Sequence, residues 1–199
     1  MPQPPQSING MLRSTTSFNC GVARVPTYAL LFIPSILCAQ VYLTQEEALK
    51  LYFPGSVAAE RKSVFLTNDQ VKKIQEKSKA KVESKIVTYY VGKDSSGKPG
   101  YAFFETHIVR TMPATYVVVL NADTSIRAIE ILAFYEPEDY LPSKKWLTQF
   151  TNKNPRSDLW LKRGIHNMVG ATLSAQALSD GVRRILATFE VAIPPEQLR

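Results

Sequence analysis

A chain of 199 residues with 45% apolar content is long enough for one domain with a real core and short for two. Its formal charge of +7 is not gathered into a stripe. The densest basic run, from Lys72 to Lys81, contains Glu76 and is followed by Glu83, the pattern of a solvated helix face, so nucleic acid is not an expected partner. Both cysteines, Cys20 and Cys38, lie before residue 40; if that segment is removed, no thiol is left for a disulfide, a thiolate zinc site, an iron–sulfur cluster or c-type haem.

Residues 1–39 read as a leader. A Pro- and Gln-rich start precedes Met11, an alternative first residue, and Arg13 and Arg24 supply a positive flank. The apolar run over residues 27–39 is too short to span a bilayer comfortably and ends in small Ala39. This fits a secretory signal cut after Ala39, with the mature protein on the periplasmic or extracellular side of the membrane. An uncleaved anchor and lipid attachment at Cys38 stay open, although Leu37 is not the small residue that a lipidation site wants.

From residue 40 the chain alternates caps, helices and strands. Thr44-Gln45-Glu46-Glu47 is a capping box that opens a helix through Phe53, where Pro54-Gly55 stops it. Val64-Phe65-Leu66 reads as a short strand. Thr67-Asn68-Asp69-Gln70 opens a second helix to about Lys79, whose thin stripe of Val71 and Ile74 predicts a surface position. Residues 40–84 thus form an N-terminal helical extension. The period then changes to two over residues 86–91, 101–110, 115–120 and 126–135, with short turns between, which makes an antiparallel meander. Gly92, Gly97 and Gly100 read as turn glycines. Ser143 caps a helix through Phe150 with Trp146, Leu147 and Phe150 inward, and Leu159-Trp160-Leu161 reads as a short strand. In the last helix Leu173, Ala177, Leu178, Val182, Ile185, Leu186 and Phe189 recur at helical spacing, with Asp180, Arg183 and Arg184 opposite, and Pro194-Pro195 ends it. The expected fold is a single α+β domain, an antiparallel meander sheet with helices packed on it.

Little in this chain carries acid–base or metal chemistry. His107 falls mid-strand and His166 in a loop, with no second ligand at metal spacing, and no serine sits in an elbow context. Glu136, Glu138 and Asp139 cluster at a strand exit, as a solvated turn or with one carboxylate facing a ligand. Gly170-Ala171-Thr172-Leu173-Ser174 leads into the last helix. The Gly-Ala pair lets the backbone come close to another group, and Thr172, or Ser174 in its place, is the expected N-cap of a helix start that favours phosphate.

That segment resembles the Asp-x-x-Ser/Thr-Gly-Ala-Thr-x-Ser/Thr motif of the FMN-binding domain. This domain is found in flavin-bearing subunits of sodium-pumping NADH:quinone reductase and of the Rnf complex, and in stand-alone exported flavoproteins. The likeness covers about residues 85–190. It implies FMN phosphoester-linked to Thr172 by a dedicated flavin transferase, with Gly170, Ala171, Leu173 and Ser174 around it. Glu136 matches a family glutamate that leaves a strand. The chain departs from the pattern at His166, where the family carries Asp, at Val169, where it carries a hydroxyl residue, and at Pro137-Glu138-Asp139, which replaces a Thr-Pro-Gly turn. The resemblance implies an electron-transfer flavoprotein rather than a stand-alone enzyme, relaying to or from a membrane or periplasmic redox partner, with Tyr135, Tyr140 or Trp160 as possible stacking partners for the flavin. Two other readings stay open: a module that holds FMN or another phosphoryl ligand reversibly, and a cofactor-free interaction protein on the same fold.

Overall fold

Both capping boxes form. The Thr44 hydroxyl accepts the Glu47 N–H at 3.2 Å while the Glu47 carboxylate accepts the Thr44 N–H at 2.8 Å; Thr67 and Gln70 repeat the arrangement at 3.2 and 2.9 Å. They start α1 (Gln45–Tyr52) and α2 (Asn68–Ser78). The computed structural model describes residues 40–56 and 59–193; the leader with its expected cleavage site, both cysteines and Pro194-Pro195 lie outside the described residues.

The sheet has six antiparallel strands: β1 (Gln40–Val41), β2 (Glu60–Phe65), β3 (Ile86–Lys93), β4 (Pro99–Ile108), β5 (Pro113–Asn121) and β6 (Ile126–Phe134), in the order β1-β6-β5-β4-β3-β2. The expected four-strand meander is its centre. Residues 40–84 are more than a helical extension, because they supply both edge strands, and α1 crosses one face of the sheet between them. There Ala48 and Phe53 bury against Ala102, Val117, Val119 and Leu132. Gly92 and Gly100 are not turn glycines. They pair across β3 and β4, and a methyl group on either would run into the Phe53 ring.

The other face holds the main core. Here α4 (Thr172–Ala192) lies over Tyr89, Tyr101, Phe103, Tyr116 and Val118, with Phe189 edge-on to Tyr101 at 4.9 Å. The helix after Ser143 is shorter than expected. It is α3 (Lys144–Leu147) continuing into a 3-10 turn over Thr148–Phe150, with Trp146, Leu147 and Phe150 buried as predicted. The second helix, α2, is not a free surface helix, since Ile74 is fully buried in a cluster shared with Ala187 and Ala192 of α4. Residues 159–161 form no strand; Leu161 makes a single bridge to Ile165 across a turn over residues 162–164.

Arg183 also departs from its expected solvent side. It is 7% exposed, with its guanidinium 3.7 Å over the Trp160 ring and its Nε donating to the Ser78 carbonyl at 2.9 Å. Arg184 pairs with Glu105, which also accepts the Tyr116 hydroxyl at 3.3 Å. Beside this network lies Gly181, where a Cβ would strike the Tyr116 hydroxyl. Alanine in a helix interior ordinarily gains about 1 kcal/mol over glycine. Gly181→Ala should instead give a net loss of roughly 1–2 kcal/mol from overpacking. Urea denaturation measures it, and a gain in stability would show that Tyr116 yields without cost.

Candidate functional site

The loop into α4 is held from behind. Ile165 is fully buried, the Trp146 indole N–H donates to the His166 carbonyl at 2.7 Å, and the His166 N–H donates to Gln149 at 2.8 Å. The site of the unexpected histidine is therefore fixed by its main chain, while the imidazole is exposed. Val169, at the second departure, is fully exposed.

Gly170 has φ +80°, and a Cβ there would meet nothing. Its glycine answers a left-handed backbone rather than the close approach of another protein group. The N-cap of α4 is Ala171, not Thr172, and no side chain caps the helix. Thr172 is the first helical residue. Its exposed hydroxyl accepts a hydrogen bond from Asn167 Nδ2 at 3.0 Å, which leaves the hydroxyl proton free to point elsewhere. Leu173 does not join the buried stripe; it is 54% exposed. Ser174 is 2% exposed, with no hydrogen-bond partner for its Oγ.

Residues 170–174 line an open cleft of about 280 Å³, whose other walls are Arg110 and Tyr140. Five of the six sequence-derived site residues thus meet at one place. Glu136 does not line it. Glu136 stands behind the cleft, 8% exposed, and its Oε1 accepts the N–H groups of Arg110, Thr111 and Met112 at 3.2, 2.7 and 2.9 Å and the Thr111 hydroxyl at 3.3 Å. It is neither a solvated turn residue nor a group facing the cleft, but the clamp of the β4–β5 turn that carries Arg110. Of the three aromatic candidates, Tyr140 forms a wall, Tyr135 does not, and Trp160 lies under Arg183 in a separate cleft. The Arg110 guanidinium lies 4.4 Å from the Tyr140 ring centroid.

Arg110 and Asn167 escaped the sequence reading. Strand register is the signal for the first: once β5 pairs with β6 through Ala114 and Phe134, the turn before Pro113 must lie beside residues 135–136. Asn167 has no comparable mark. Among the described residues no group of three or more His, Cys, Asp and Glu side chains is placed to hold a metal ion, and no helix is long and apolar enough to cross a membrane. Compared with models of known protein families and with characterised protein sequences, the chain matches none.

The Thr111 N–H holds the Glu136 carboxyl below the ordinary glutamate value; burial opposes this, and the Met112 and Arg110 N–H groups and the Thr111 hydroxyl add to it. A depressed carboxyl contributes stability that is present above its unfolded value of about 4.3 and is lost as pH falls through the folded value. Glu136→Ala should cost about 1–3 kcal/mol at neutral pH through unsatisfied donors. The gap to wild type should narrow as pH falls below about 4, as the part carried by the charge is lost. Thermal melts along that range check this, and a gap that stays constant into acid contradicts it.

Proposed function

We propose that this chain is an exported flavoprotein that carries electrons through FMN esterified to Thr172. The observation that carries the reading is the Gly-Ala-Thr-x-Ser segment at the uncapped start of a 21-residue helix, with an exposed threonine hydroxyl at the edge of a cleft. The chemistry of the cleft fits the group. The free N–H groups of the first helical turn favour the single negative charge of a phosphodiester by about 0.3–1 kcal/mol. Ser174 Oγ is a buried polar atom without a partner, and the space in front of Gly170 is open. When bound, FMN supplies the redox chemistry, and the chain supplies position and potential. Residues 170–174 hold the phosphoryl end, Thr172 Oγ1 is the attachment atom, and Tyr140 offers the nearest aromatic surface. No acid or base is required of the protein. The attachment needs a flavin transferase, and the redox partner is a membrane or periplasmic protein.

A second reading, reversible binding of FMN or another phosphoryl ligand, is favoured by the departures at His166 and Val169, which present an imidazole and an isopropyl group where the resembling motif has a carboxylate and a hydroxyl. Intact mass of the protein made together with a flavin transferase separates the two. A gain equal to FMN less water, absent in Thr172→Ala, is expected. Yellow protein without that gain supports the reversible reading, and a gain that survives Thr172→Ala overturns the assignment of the ester.

A further inference from the structure

We propose that Arg110 reads the phosphoryl group of the ligand in this cleft, and that Glu136 is the positioning residue that sets Arg110 there, so that the site distinguishes a phosphorylated ligand from its dephosphorylated form. This rests on the reading of the cleft as a ligand site, but not on the ligand being a flavin.

Arg127, Arg163, Arg183 and Arg184 each pair with a carboxylate. Arg110, like the exposed Arg61 and Arg156, does not: among the described residues its guanidinium has no ion pair or hydrogen bond, and what sets it apart is its place in the cleft wall over the Tyr140 ring. The contact with the ring leaves the guanidinium N–H donors without a protein acceptor. Those donors form the fork that takes two phosphate oxygens at once. Across the cleft stand the uncapped start of α4 and the unpartnered Ser174 Oγ. One wall offers the guanidinium and the other the free N–H groups and positive end of the helix, and no carboxylate belongs to either. Glu138 and Asp139 are exposed and lie outside the lining.

Glu136 explains why the cation stands unpaired. Its four hydrogen bonds go through Oε1 to the turn, three of them to main-chain N–H groups, and none goes to the Arg110 side chain. The carboxylate fixes the backbone from which Arg110 projects while its charge is taken up by the turn. The cation is held in place without being neutralised.

The test titrates full-length protein, made without a flavin transferase, with FMN and with riboflavin, following quenching of flavin fluorescence. Wild type should bind FMN at least about tenfold tighter than riboflavin, the scale of one charge-assisted contact. Arg110→Ala should lower that ratio several-fold by weakening FMN alone, leaving only the small preference of the helix start, and Arg110→Lys should restore part of it. Glu136→Ala should weaken FMN binding in wild type and add nothing in the Arg110→Ala background, because it acts through the arginine. A ratio unchanged in Arg110→Ala overturns the proposal. Equal losses from Glu136→Ala in both backgrounds overturn the positioning role. If neither flavin binds, phosphorus NMR with inorganic phosphate decides: Arg110-dependent binding keeps this proposal and sinks reversible flavin binding, while no binding sinks this proposal, and the ester stands or falls on the mass measurement.

Discussion

The seating of α4 on the sheet depends on one missing methyl group. Gly181 lets the helix lie against the Tyr116 hydroxyl, which sits in the network of Glu105 and Arg184. With the helix at that depth, Phe189 reaches Tyr101 and Phe103, Arg183 reaches Trp160 and the Ser78 carbonyl, and Ala187 meets Ile74 of α2. The main core on this face, and the docking of α2 and of the turn around Trp160, follow from that approach. So does the position of the helix start, which opens the candidate site.

The site itself is made by two clamps, neither of which belongs to it. Trp146 and Gln149 hold the main chain at His166, which fixes the loop into α4. Glu136 holds the β4–β5 turn, which fixes Arg110. Glu136 and Trp146 both stand just downstream of β6, so one strand end and the short helix after it bring the two walls of the cleft together. Binding groups placed by rigid neighbours lose little freedom when a ligand arrives. The cleft is therefore preorganised, although its two walls lie some sixty residues apart in the chain.

The parts of this arrangement legible in the sequence are those that depend on local chemistry. Capping boxes, the period-two strands and the stripe of α4 each follow from residues a few positions apart, and all formed, the stripe without Leu173. Apart from local end effects such as the N-cap at Ala171 and the short α3, the misreadings come from partners far along the chain. Arg183 looked solvated because Trp160 and Ser78 are distant in sequence, and Gly92 and Gly100 looked like turn residues because the ring they accommodate belongs to Phe53. The polar start of β2, Glu60-Arg61-Lys62, hid the length of the strand expected over Val64-Phe65-Leu66, which pairs with β3 from Glu60 onward. In the site, the motif residues were legible as a string. The role of Glu136 was not, because a carboxylate that caps a distant turn and one that faces a ligand look the same without register.

Those structural relations give the resembling segment a physical setting: an exposed threonine hydroxyl, an uncapped helix start, a buried serine oxygen without a partner and an unpaired arginine around one cleft. The claim that this setting retains a flavin through a bond to the chain is tested most directly by the visible spectrum of acid-precipitated, washed protein from cells that also make a flavin transferase. The account predicts that flavin absorption stays with the redissolved pellet. A colourless pellet, with or without flavin in the supernatant, would contradict it.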